Sequence, residues 1–90
     1  MNKNDLVVSV ADNAGLSKAK AARAVDSVFD SIKTSLRRDK EVRLVGFGTF
    51  VVARRKESRG RNPRTGEPIH IPASRQAKFR AGKALKEAVN

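Results

Sequence analysis

Nine basic side chains crowd into 27 residues: Arg54, Arg55, Lys56, Arg59, Arg61, Arg64, Arg75, Lys78 and Arg80 stand against only Glu57 and Glu67, a net charge of +7. Guanidinium and ammonium groups at this density repel one another unless an anion offsets them, so their chemistry is the holding of a polyanion. Asn62 and Pro63 sit in the middle of the run, within Gly60–Pro68 (GRNPRTGEP), a stretch dense in turn formers. Arginine reaches phosphates and minor-groove acceptors, and an apolar tip residue can wedge between base pairs. From the residues alone Pro63 is either such a wedge or a plain turn residue.

Residue types suited to catalysis are scarce. The chain has no Cys and one His, so neither a Cys-ligated metal nor a clustered His site can form. His70 lies between Ile69 and Ile71 and reads as a solvent-facing strand residue. Ser17 and Ser58 have no His near them in sequence to act as base. No catalytic residue, no metal and no cofactor are expected.

The rest of the chain is nearly balanced. Residues 1–40 carry net +3, residues 41–53 net zero and residues 81–90 net +1, within a total of +11 and a pI near 11.2. Nucleic acid is the first candidate partner and an anionic membrane surface the second. No apolar run approaches the ~20 residues of a membrane-spanning helix, and the start, MNKNDLVVSV, lacks the apolar core of a secretory signal. No membrane role and a soluble cytoplasmic protein are therefore expected.

The elements that must carry these groups can be read from periodicity. Leu6, Val7, Val10, Ala11 and Ala14 repeat at helical spacing, with Asn2 and Asp5 placed to cap the start and Gly15 to end the helix. Ser17 caps a second helix, along which Ala22, Val25, Phe29, Ile32 and Leu36 form a heptad-like seam. Two strands follow, Glu41–Val45 and Thr49–Ala53, joined at Gly46-Phe47-Gly48. The second runs on into Arg54–Ser58, and Ile69–Pro72 returns, so residues 54–75 read as a β-ribbon with its tip near Asn62–Gly66 and charges on both faces. Each leg is about ten residues, ~33 Å at strand rise. Gly82–Val89 reads as a short amphipathic helix.

Ninety residues allow one domain. Four Phe, no Trp, no Tyr and no disulfide leave a marginal core, which predicts an oligomer.

Three segments extend these readings: Gly46-Phe47-Gly48-Thr49-Phe50, then Arg59-Gly60-Arg61-Asn62-Pro63-Arg64-Thr65-Gly66, then Ile71-Pro72-Ala73 with Phe79-Arg80-Ala81-Gly82-Lys83-Ala84-Leu85-Lys86. Together they closely resemble the bacterial HU family of histone-like DNA-binding proteins, over the whole chain. The resemblance implies an α+β fold: an intertwined homodimer or heterodimer, each chain with an N-terminal helical hairpin (residues 1–40), a three-stranded antiparallel sheet with a short C-terminal helix (41–53 and 76–90) and a protruding β-ribbon arm (54–75). It implies that the arms bind and bend double-stranded DNA through the minor groove, with Pro63 intercalated at a kink, as part of nucleoid compaction. It adds Lys3, Lys83 and Lys86 as phosphate contacts from the body. It places Leu44, Phe47, Phe50 and Phe79 with the helical seam in the dimer core. Preference for distorted DNA and weak RNA binding are further expectations. Glu67, Pro68 and His70 depart from the lysine that many relatives carry on the returning leg.

Three rival readings are weaker. The subunits of integration host factor bind chosen sequences and share the arm tip, but usually run longer and commonly have proline where this chain has Ala81. A helix-turn-helix regulator would use Ala14-Gly15-Leu16-Ser17 as its turn, yet the second helix is long, alternates in charge and lies away from the basic run. An RNA-binding structural protein would stack bases on aromatics, and no Phe lies on residues 54–75.

Overall fold

Asn2 opens the first helix with a reciprocal cap: its side chain accepts from the Asp5 amide at 2.9 Å and its own amide donates to the Asp5 carboxylate at 3.1 Å. The structure, a computed structural model, describes residues Met1–Asn90. Helix α1 spans Lys3–Ala14 and stops at Gly15, whose φ of 66° is left-handed. Helix α2, Lys18–Arg37, starts under the Ser17 hydroxyl, which accepts from the Lys20 amide at 3.2 Å. The strands are β1 (Val42–Leu44), β2 (Gly48–Arg55), β3 (Ser58–Arg61), β4 (Pro68–Ile71) and β5 (Ser74–Ala81), and α3 covers Lys83–Val89.

The two N-terminal helices pack through Val7, Ala11, Ala21 and Val25, with Leu6, Val10, Leu16 and Ala22 half-buried around them. Ala21 is fully covered, and Ala22 of the seam is half-buried beside it. Farther along α2, Ile32 and Leu36 are half-buried and Phe29 is 37% exposed. Length explains this. Twelve residues of α1 reach about 18 Å and twenty of α2 about 30 Å at helical rise. The second half of α2 therefore has no helix of its own chain to lie against.

Strands β1, β2 and β5 form an antiparallel sheet in that order. A tight turn joins the first two: the Phe47 amide donates to the Leu44 carbonyl at 2.9 Å, with Gly46 at φ 84° in its third position. Gly48 follows at a crowded crossing. A Cβ there would lie 2.4 Å from the Phe79 ring and 2.6 Å from the Arg80 carbonyl, so no side chain fits. The long ladder pairs Gly48 with Ala81, Phe50 with Phe79, Val52 with Ala77, Arg54 with Arg75 and Arg55 with Ser74.

The ribbon departs from the sequence reading in two ways. It is not continuous: the body sheet ends at Arg55 and Ser74, and a separate two-stranded segment, β3 with β4, resumes beyond Lys56-Glu57 and Pro72-Ala73. Pro72 has no N–H for a ladder, which breaks pairing there. Nor are the charges on both faces of the outer segment. The register pairs Arg59 with His70 and Arg61 with Pro68, while Ser58 faces Ile71 and Gly60 faces Ile69. Side chains alternate across a strand, so Arg59 and Arg61 share one face and Ile69 and Ile71 the other.

The molecule is 58 Å long with a radius of gyration of 18.7 Å, against about 12 Å for a compact domain of this length. Only Val7, Ala11, Ala21, Val25 and Gly48 are buried.

Candidate nucleic-acid interface

The period-two alternation of the body sheet divides it into unlike faces. On one lie Val42, Leu44, Phe50, Val52, Ala77 and Phe79, all apolar, and beyond them the Arg54–Arg75 pair. The other carries Arg43, Arg55, Lys78 and Arg80 with Thr49, Val51, Ala53, Ser74 and Gln76, and no carboxylate on any strand. Arg43 has Glu41 at 3.5 Å; Arg55, Lys78 and Arg80 have no acidic partner. Arg43 was absent from the candidates read from the sequence, although its place between Val42 and Leu44 marks it as facing away from the apolar side.

Beyond this face the arm reaches its turn. The Asn62 amide donates to the Glu67 carbonyl and the Gly66 amide to the Asn62 carbonyl, both at 2.8 Å. The Asn62 side-chain oxygen accepts from the Arg64 amide at 2.9 Å, and the Thr65 hydroxyl accepts from the Glu67 amide at 3.3 Å. Gly66 supplies the left-handed residue, at φ 71°. Asn62 thus spends its carbonyl, amide and side-chain oxygen on shaping the tip. Pro63 is left exposed at the apex, with the exposed Arg61 and Arg64 beside it. On the arm's basic face His70 Nε2 lies 3.0 Å from Glu57.

Several other candidate cations are already engaged. Lys3 pairs with Asp26. That hydrogen bond, and secondarily the charge of Asp26, holds the Lys3 ammonium above its ordinary value near 10.5. The pairing persists below that value and is lost as pH rises through the raised one. Arg54 and Arg75 each meet Asp39 at 2.8 Å. Lys83 lies 3.9 Å from Glu87. Lys56, Arg59 and Lys86 are exposed and free of carboxylates.

The apolar face carries the aromatics predicted to meet. Phe79 stands between Phe47 and Phe50, with ring centroids 5.3 and 4.8 Å away. Yet Phe47 is 48% and Phe79 40% exposed, and Val45 is 96% exposed at the turn. Aromatic area of this size left in water is of the kind that protein–protein contacts bury. No three His, Asp or Glu side chains converge, and no helix is long and apolar enough to cross a membrane.

Comparison with known proteins agrees with this geometry. The sequence model of the family described as "Bacterial DNA-binding protein" matches residues 1–90. The chain is 59% identical over 90 residues to the DNA-binding protein HRm of Rhizobium meliloti, covering 100% of both. It is 54% identical over 89 residues to the DNA-binding protein HU of Geobacillus stearothermophilus, covering 99% of each. Among solved structures, the HU–DNA cocrystal of Anabaena superposes with a TM-score of 0.90 at 40% identity, over 99% of this chain and 97% of that one.

Proposed function

The chain belongs to the bacterial DNA-binding protein family of the HU type, and we propose that it acts as a dimer that binds, bends and compacts double-stranded DNA with little regard to sequence, as an architectural component of the nucleoid. The observation that carries this reading is the partition of the sheet. One face offers Arg43, Arg55, Lys78 and Arg80 without a strand carboxylate, and the opposite face offers half-exposed aromatics. The first suits a polyanion and the second a partner subunit. The arm extends the cationic surface by a segment with Arg59 and Arg61 on one side and Arg64 at the tip.

Such groups neutralise phosphates, a contact that positions a protein without reading sequence. Little on the arm reads base edges, because Asn62, its one amide side chain, has its oxygen committed to the turn. In this reading Pro63, exposed at the apex, enters a base step in the minor groove. Proteins of this family are themselves the known example of such wedges, which exchange a few kcal/mol of unstacking for DNA bent onto more protein surface. A wedge of this kind favours DNA already nicked or kinked, where part of the unstacking is done. Lys3, Lys83 and Lys86 supply phosphate contacts from the body once DNA competes for Lys3 and Lys83. The partner is a second copy or a paralogue of the same fold.

The test is a gel-shift series on linear duplexes of unrelated sequence, run beside a nicked duplex and an RNA duplex. Affinities within a few-fold across the linear duplexes, tighter for the nicked one and weaker for RNA, are expected. A hundredfold preference for one linear sequence would overturn the reading.

A further inference from the structure

Asp39 is the one residue other than glycine with a positive φ, 57°. It stands immediately after Arg38, the C-cap of α2, where glycine is the usual residue because a side chain resists the left-handed region. Its Oδ2 takes Arg54 Nη2 and its Oδ1 takes Arg75 Nη2, each at 2.8 Å. The same Arg75 nitrogen donates to the Leu36 and Arg37 carbonyls at 2.9 and 3.0 Å, among the last acceptors of the helix. Arg54 and Arg75 are direct cross-strand partners, an arrangement in which like charges destabilise a sheet. They form the second-to-last pair of the body ladder, one step before it ends at Arg55–Ser74 and the arm continues. They also project from the apolar face, opposite Arg55, Lys78 and Arg80.

We propose that Asp39 is the positioning residue of the arm. It bridges the Arg54–Arg75 pair and offsets half of its charge, ties the arm's root to the end of α2, and withholds both arginines from phosphate, so that the DNA-facing cations are those of the opposite face. Arg54 and Arg75 then belong to the anchor of the arm and not to its DNA contacts. The anchoring half stands on geometry alone, and the withholding half rests on the DNA-binding reading above.

The test uses the full-length dimer carrying Asp39→Asn, with Asp39→Gly as a second variant. Glycine suits the left-handed backbone better than aspartate, so loss of folding does not obscure the result. Two quantities are read. In amide exchange without DNA, protection at residues 53–55 and 74–76 is expected to fall about tenfold in both variants while residues 7–11 and 21–25 keep theirs. In duplex binding, the slope of log affinity against log salt is expected to steepen by about 0.9 for each arginine released. Unchanged protection at the root overturns the anchor. An unchanged slope with normal binding overturns the withholding. Failure of the unsubstituted protein to bind any duplex overturns the DNA-binding reading instead, and leaves the exchange result to decide the anchor.

Discussion

Pro63 sits at the apex of a turn that other residues hold in shape: Asn62 closes it by three hydrogen bonds and Gly66 supplies its left-handed step. Proline is therefore not needed to form the turn. Pro63→Ala should leave Arg61, Asn62 and Arg64 in place, so phosphate contacts and the salt slope change little. The bend should fall, and any preference for nicked DNA should shrink, as read by energy transfer between duplex ends at saturation beside affinity titrations. An unchanged end-to-end distance would reduce Pro63 to a turn residue. Most of this tip was legible, because Asn-Pro and Thr-Gly carry their turn preferences locally. The commitment of Lys3 to Asp26, and of Arg54 and Arg75 to Asp39, was not. Those pairs join residues 15 to 36 positions apart, and no local preference encodes which cation a carboxylate will meet.

At the scale of elements, the caps of α1 and α2 and the Gly46 turn follow from side chains within three residues of each other, and the sequence predicts them accordingly. The interruption of the ribbon and the single basic face of its outer segment do not follow in the same way. Face assignment depends on register, and a slip of one residue would exchange Arg59 and Arg61 for Gly60 on the same side. The outer segment takes its register from the tip, where the Asn62 amide donates to the Glu67 carbonyl; in the body ladder the close crossing is at Gly48, which lets the Phe79 ring and the Arg80 carbonyl approach. Gly48→Ala should therefore disturb the β2–β5 ladder as a whole. With backbone as well as ring in the way, a loss toward the upper end of ~1–3 kcal/mol is expected from chemical denaturation. A loss under half a kcal/mol would show that the crossing relaxes freely. The cationic face carries its own expectation. Replacing Arg59 and Arg61 together by Ala should weaken all duplexes alike and lower the salt slope by about one unit per lost phosphate contact. Sequence-selective weakening would mean that these arginines read bases.

The whole molecule carries its greatest inconsistency with an isolated existence in its aromatic face. A 90-residue chain with five buried residues and half-exposed Phe47 and Phe79 has little to hold it folded alone. Folding and association should be one event, so the thermal midpoint should rise with protein concentration. Phe47→Ala should cost ~3–5 kcal/mol per site if a partner buries the ring, and far less if the ring stays half in water. Sedimentation of a folded 9.8 kDa species at micromolar concentration would rule out the obligate dimer. Composition alone predicts such an association, since a chain so poor in aromatics closes only a small core. Which face stays open is visible only in the structure, where Phe47 and Phe79 stand half-exposed and the second half of α2 has no helix of its own chain beside it.

The most direct test of the central claim, that this dimer bends DNA through charge and shape instead of base reading, is energy transfer between the ends of duplexes of unrelated sequence, titrated to saturation over a range of salt. The same shortened end-to-end distance is expected on every duplex, with log affinity falling against log salt at a slope of roughly −5 to −9 for about six to ten neutralised phosphates. Saturation that leaves the ends as far apart as in free DNA, or a flat salt response, would contradict it.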